Sequence, residues 1–368
     1  MQNSLNDFLD RAVKEVAEAV EEDIFNNAAT RIENKLVETF GFTPQVITIK
    51  APNKDNITLK GVFHEQFDNA LAIVNADIPL YLVGPAGTGK NVICKQIAEA
   101  LGLEFYFSNA ITQEYKLTGF IDSVGNYQET QFYKAFTNGG LFFLDEIDAS
   151  IPEVLVILNA AIANRYFDFP NGKVEAHKDF RVIAAGNTTG TGADLKYTGR
   201  YTLDQASLDR FAMLEIDYSP MIELSMAKND KQLCEFAHFF RKAATDSDIN
   251  CLFTYRSISR IAALQDIIDD LYNIFEMSLF KGLTTDDLKI ITKKIEGSIG
   301  RKEMNHNKYL KVFVEHFLPQ DSNKTTPIKG EPTSYLSWND INSSGPMQWT
   351  YNARTHTAKP SSNGSFQF

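Results

Sequence analysis

No part of this 368-residue chain constrains its fold more than PLYLVGPAGTGKN, residues 79–91. An apolar strand pattern runs straight into Gly84, and a helical pattern opens near Lys90. A loop that enters a helix N-terminus presents backbone N–H groups to phosphate oxygens. Gly87 and Gly89 remove side chains where backbone and phosphate must come close, and Lys90 can reach the outer phosphates. Gly84, Pro85, Ala86, Gly87, Thr88, Gly89, Lys90, Asn91 and Val92 therefore form a candidate phosphate-binding loop. One position departs from that pattern. Where Ser or Thr ordinarily offers a hydroxyl to magnesium, this chain has Asn91. An amide oxygen can still ligate a hard cation; alternatively the side chain caps the local turn and leaves that position to water.

The surrounding residues alternate short apolar runs with helical patterns. PLYLV (79–83), EFYFS (104–108), LFFLD (141–145), RVIAAG (181–186) and AMLEI (212–216) read as buried strands. NVICKQIAEALG and IPEVLVILNAAIAN between them read as helices. Short apolar strands separated by helices imply a mainly parallel sheet covered on both faces, with ligands at the carboxyl ends of its strands.

Two further motifs stand at such strand ends. LFFLDEID closes a strand with adjacent carboxylates, Asp145 and Glu146. Phosphoryl transfer requires an acid beside the metal and a group that positions or activates water; Asp145 suits the first role and Glu146 that of general base. Asp148 reads as a helix cap or surface acid. RVIAAGNTT places Asn187 after a strand, where its amide can contact a terminal phosphate or an attacking water.

GPAGTGKN, LFFLDEID, AAGNTT and ASLDRF follow the order and spacing of the AAA+ ATPases, and the chain resembles that family over about residues 62–275. It is most similar to the branch of MoxR-type ATPases, dynein-related ATPases and the ATPase subunit of aerobic cobaltochelatase. The cobaltochelatase-like character is strongest in AGNTTGTGADLKYTGRYTLDQASLDRF. The resemblance implies an α/β AAA+ P-loop core, with a parallel sheet between helices, followed by a small all-helical lid. It further implies ATP and Mg2+ as cofactors, with Asn91 and Asp145 at the metal. Asn187 would be the first sensor, Arg210 of LDRF an arginine finger serving the neighbouring subunit, and Arg256 of TYRSISR the second sensor. Arg260 competes for that last role, and Arg200 of YTGRY is a second interface-arginine candidate. The implied assembly is a homo-oligomer, a hexameric ring, working with a separate partner that carries a von Willebrand A domain.

Four regions are expected: a helical and short-strand extension at 1–61, the AAA+ core at 62–219, helices at 220–320, and an extended or partly disordered tail at 321–368 that holds both tryptophans, Trp338 and Trp349. The first region pairs helical patterns between Leu5 and Phe40 with two strands in ITIKAPNKDNITLKG. In the third, 221–245, 256–276, 285–296 and 309–319 read as helices. Two inserts accompany the core. TGFIDSVGNYQETQFYKAFTNG (118–139) resembles the branch's insertion toward a central pore, with Tyr127 either touching a substrate or packing on Phe132. YFDFPNGKVEAHKDF (166–180) reads as a hairpin turning at Pro-Asn-Gly, with His177 on the surface beyond it.

A net charge of -11 disfavours broad binding to nucleic acid, and the 118–139 insert contains only one basic residue, Lys134. Cys94, Cys234 and Cys251 have neither metal-ligand spacing nor a disulfide framework. The opening MQNSLNDFLDRAVKEV lacks the pattern of a signal peptide, and no apolar run reaches membrane-span length. A cytoplasmic enzyme (in the host cytoplasm if phage-encoded) that hydrolyses ATP to remodel a partner protein is the expectation. A motor on nucleic acid and a nucleotide-dependent structural switch are the alternatives.

Overall fold

The computed structural model describes residues 45–49, 57–193, 197–299, 301–317, 349–352 and 357–360. The helical patterns expected before Gly41 and most of the expected tail lie outside these residues. The chain divides into two compact units, Met1–Cys234 with Asn250–Ser259, and Glu235–Ile249 with Arg260–Phe368.

In the first unit, β1 (Gln45–Ile49) pairs antiparallel with β2 (Ile57–Gly61), and α1 (Phe67–Asn75) follows. Next come β3 (Leu80–Val83), α2 (Lys90–Leu101), β4 (Phe105–Ser108) and a single turn, α3 (Tyr115–Thr118). A short hairpin of β5 (Phe120–Ile121) and β6 (Tyr127–Gln128) leads into α4 (Gln131–Asn138), β7 (Gly140–Leu144), a 3-10 turn (Ile147–Ala149) and α5 (Pro152–Asn164). The hairpin β8 (Tyr166–Phe169) and β9 (Gly172–Glu175) precedes β10 (Phe180–Gly186), α6 (Gln205–Leu208), β11 (Ala212–Glu215) and α7 (Pro220–Met226).

The five core strands form one parallel sheet in the order β11-β3-β10-β7-β4. Strands of this sheet covered on both faces have no polar face, which is why their sequences read as continuous apolar runs. Alternate residues feed two separate cores. Tyr81, Val83, Phe142, Leu144, Val182 and Ala184 join one core with Phe132 and Phe136 of α4 and Leu155 and Leu158 of α5. Leu80, Leu82, Leu141, Phe143, Ile183 and Ala185 join the other with Phe67 and Val74 of α1 and Ile93 and Ile97 of α2. The edge strands β4 and β11 are only half buried.

Sequence order and sheet order differ in a way that builds a site. From β3 the chain crosses to the far edge, β4, and returns through β7 to β10, then crosses over β3 to β11. The carboxyl ends of β3, β10 and β7 therefore lie side by side at the point where the winding reverses, the usual ligand position in such sheets.

Helices α8 (Lys231–Thr245) and α9 (Tyr255–Leu264) each span the division between units. The second unit continues with α10 (Leu271–Ser278), α11 (Thr285–Ser298), α12 (Arg301–His306) and α13 (Lys308–Phe317). Its centre is aromatic: Phe236 stacks on Tyr309 at 6.1 Å between ring centroids, and Phe240 meets Phe313 edge-on at 5.3 Å. The continuous helices expected over 221–245 and 256–276 are each broken. Lys228 and Asn229, both at positive φ, separate α7 from α8. Asp270 caps α10 by accepting from the backbone N–H groups of Tyr272 and Asn273. In the tail, β12 (Trp349–Asn352) pairs antiparallel with β13 (Thr357–Pro360).

Candidate functional site

The loop after β3 is shaped by its glycines and held from behind by its own unit. Gly87 adopts φ +79, and a Cβ there would lie 2.6 Å from the Cβ of Thr254. Gly89, at φ 85, opens α2. Tyr218 donates its hydroxyl to the Ala86 carbonyl at 2.9 Å, while the Ala86 N–H donates to the Tyr197 hydroxyl at 3.0 Å. Thr88 is buried and donates to the Pro85 carbonyl at 3.0 Å; the Val92 side chain is 56% exposed, and its backbone N–H donates to the Gly89 carbonyl at 2.8 Å.

Lys90 is the polar centre. Its side chain is buried, and Nζ donates to the carbonyls of Gly84 (2.7 Å) and Pro85 (2.9 Å) and to Oδ1 of Asn187 (3.2 Å). Burial pushes its pKa down to about 8, against the opposing pull of Asp145 and Asp148. Cys94, one turn along α2, is wholly buried, and burial holds its thiol well above its ordinary range.

At the end of β7, Asp145 accepts a hydrogen bond from the Asn91 side-chain amide, Nδ2 to Oδ2 at 2.9 Å. Its other carboxylate oxygen accepts from the Glu146 N–H at 3.0 Å. Glu146 sits at φ 52, a left-handed conformation uncommon for a residue with a side chain. Such outliers cluster at functional positions. Its carboxylate pairs with Arg200, Nη2 to Oε1 at 3.2 Å.

Asp148 departs from the reading as a cap or surface acid. It is fully buried and joins three parts of the site. Oδ2 accepts from the backbone N–H groups of Asn187 and Thr188, both at 3.0 Å, and from the Thr188 hydroxyl at 3.1 Å. Oδ1 pairs with Nη1 of Arg200 at 3.2 Å. Sequence pattern concealed this because a third acid in DEID looks like the start of a solvated helix. What reverses its environment is the close approach of β10, where Gly186 has no side chain to hold off Asp148 or the Tyr81 ring.

Lys90, Asn91, Asp145, Glu146 and Asn187 are thus brought together from three strand ends. Arg210 and Arg256 are not bonded to that group. Arg210 is exposed and donates to the Ala206 carbonyl at 2.8 Å, with no acid in salt-bridge range among the described residues. Arg256 is exposed in the first turn of α9, two residues beyond the Thr254 contact with Gly87. Tyr127 packs against Tyr133 at 4.9 Å and not against Phe132, and donates to the Thr118 carbonyl at 2.5 Å. His177 is only part-exposed; its backbone N–H donates to the Phe136 carbonyl at 2.8 Å.

The donors suit a metal delivered with a polyphosphate. One carboxylate, Asp145, and one carboxamide, Asn91, face each other, and no cluster of three or more His, Cys, Asp or Glu able to hold an ion occurs among the described residues. Magnesium is commonly bound in this way, by one or two protein oxygens together with substrate phosphates and water. Among the described residues, no helix is long and apolar enough to cross a membrane.

Residues 79–211 match the model of the AAA domain, dynein-related subfamily. An uncharacterized protein of Staphylococcus haemolyticus is 27% identical over 218 residues, covering 55% of this chain and 80% of that protein. A second, from Staphylococcus aureus, is 26% identical over 227 residues, covering 55% and 81%. The structure of NtrX from Brucella abortus aligns at TM-score 0.38 and 15% identity; it covers 70% of this chain, which spans about half of that one (55%), and so distant a likeness carries no weight. The family match spans every strand end that builds the site, so residues 79–211 are similar to the AAA domain of the dynein-related subfamily.

Proposed function

We propose that this protein is an ATP-hydrolysing AAA+ ATPase of the MoxR and dynein-related branch, forming a ring that remodels a partner protein or complex. The observation that carries this reading is the convergence of Lys90, Asn91, Asp145, Glu146 and Asn187 at three adjacent carboxyl ends of one parallel sheet. A cation beside the outer phosphates, an acid–amide pair for magnesium, a carboxylate base and a polar strand-end sensor are what phosphoryl transfer to water requires.

In this reading the amides after Gly84 and the Lys90 ammonium hold the triphosphate. Asn91 and Asp145 hold Mg2+, which neutralises charge on the phosphates when bound. Glu146 accepts the proton of the attacking water, and Asn187 senses the terminal phosphate. Arg210, exposed and free of acidic partners among the described residues, serves a neighbouring subunit's nucleotide. Arg256, in the first turn of α9, contributes as the second sensor. A hexameric ring and a separate partner with a von Willebrand A domain belong to the same proposal. The domain division proposed with it is 1–61, 62–219, 220–320 and 321–368.

Affinity purification of Glu146→Gln in the presence of ATP tests the proposal. Loss of the base with binding intact should trap the assembled ring with its client. Recovery of monomer alone, with neither client nor ATP dependence, would overturn it.

A further inference from the structure

The ion pairs of Arg200 are made entirely within its own chain. Its side chain is 11% exposed; Nη2 reaches Glu146 and Nη1 reaches Asp148, each at 3.2 Å. Asp148 is fully buried and accepts the N–H groups of Asn187 and Thr188. Asn187 in turn accepts from Lys90 Nζ. One polar chain therefore runs from the phosphate-loop lysine through the strand-end asparagine, the buried aspartate and the arginine to the candidate base.

The segment carrying Arg200 is fastened at several points. The Tyr197 hydroxyl accepts from the Ala86 N–H, the Tyr201 N–H donates to the Asp148 carbonyl at 2.8 Å, and the Leu203 N–H donates to the Gly190 carbonyl at 2.9 Å. A planar guanidinium can bridge two carboxylates in fixed geometry, which a point-charge ammonium cannot do. The Glu146 side chain is 40% exposed, and its backbone is already confined by φ 52. The Arg200 bond fixes where that exposed carboxylate points.

We propose that Arg200 is a positioning residue acting in cis, which ties the Glu146 carboxylate to Asp148 and so to Asn187, and is not an arginine offered to the neighbouring subunit. The proposal rests on the ATPase reading above and adds a residue to it. Arg200 aligns the base with the sensor, so its loss lowers the rate of the chemical step and leaves ATP binding in place.

The test measures ATP turnover and ATP binding by wild type, Arg200→Ala and Arg200→Lys, together with the double variant Arg200→Met/Asp148→Asn, which removes both partners of the buried pair together. Expected are a kcat at least tenfold below wild type for Arg200→Ala and the double variant, a KM for ATP within about twofold, and partial recovery by Arg200→Lys. Mixing Arg200→Ala with Glu146→Gln subunits should restore nothing, because each active site needs its own Arg200. Restoration on mixing would overturn the cis assignment. A kcat at or near wild type in Arg200→Ala, or equal loss of kcat and ATP binding in the double variant, would overturn the positioning role. Arg210→Ala mixed in the same way reads the separate trans assignment of Arg210. A wild-type protein that does not turn over ATP would overturn the ATPase reading and this one with it.

Discussion

The Asn91 side-chain amide donates to Asp145 at 2.9 Å, joining the candidate phosphate-binding loop to the acid at the end of β7. A Ser or Thr hydroxyl would be the shorter donor to that acid. The carboxamide reaches it with nitrogen and keeps its oxygen for another partner. The unusual residue therefore contacts the acid at the end of β7 directly.

That relationship predicts a change in metal dependence. Asn91→Ala removes both the bond to Asp145 and the amide oxygen, and groups that orient a metal ligand are worth about 10–100-fold in affinity. The Mg2+ concentration for half-maximal turnover should rise by about tenfold or more, while Asn91→Thr, which retains a donor and an oxygen, stays close to wild type. Titration of turnover against Mg2+ checks this, and identical curves for Asn91→Ala and wild type would remove Asn91 from the metal site.

Lys90 makes a prediction in pH. Its folded pKa, about 8, lies below the ordinary 10.5, so the buried ammonium costs stability when protonated. The contribution of this group to stability is full above the ordinary value and is lost as pH falls from there through about 8. Polyphosphate supplies the missing counter-charge and raises the pKa again. ATP binding should therefore take up protons at pH above about 8 and fewer at lower pH. Calorimetry in buffers of different ionisation enthalpy measures it; no uptake at the higher pH would contradict the buried, charge-depleted lysine.

Asp148 is a stability prediction. Removing one partner of a buried pair leaves the other charge uncompensated, at a cost of about 3–5 kcal/mol. Asp148→Ala also strands the N–H groups of Asn187 and Thr188. Chemical denaturation should show a loss in that range, whereas Asp145→Ala, at a part-exposed position, should lose less. Equal stability of Asp148→Ala and wild type would show that the aspartate is not the anchor of the site.

Arg210 predicts dependence on assembly. An arginine finger is worth about 10³–10⁵ in rate. Arg210→Ala should lose turnover on that scale while binding ATP normally, and wild-type turnover per subunit should fall on dilution below the assembly concentration. Specific activity independent of concentration in wild type, together with an active Arg210→Ala, would reject a finger acting between subunits.

Much of the core was legible because each strand is a continuous apolar run that ends in a polar motif. PLYLV, LFFLD and RVIAAG mark β3, β7 and β10 to within a residue or so, and the loop glycines mark the phosphate turn. What escaped the sequence was contact between segments distant along the chain. Asp148 looks solvated in DEID but is buried against Gly186 and Thr188. Arg200 resembles an interface residue until its two acids stand beside it. Tyr197 and Tyr218, lying 111 and 132 residues from Ala86, carry no local signal of their bonds to it. The expected helices over 221–245 and 256–276 were read through their interruptions, because apolar spacing persists across breaks set by positive-φ residues and a capping aspartate.

Whether Glu146 is the base of an ATP-hydrolysing site is tested most directly by ATP turnover and ATP binding in wild type and Glu146→Gln. A positioned general base contributes about 10²–10⁴-fold. Glu146→Gln should bind ATP as tightly as wild type and turn it over slower by that factor. Turnover unchanged in Glu146→Gln, or failure of the wild-type protein to bind ATP at all, would contradict that role.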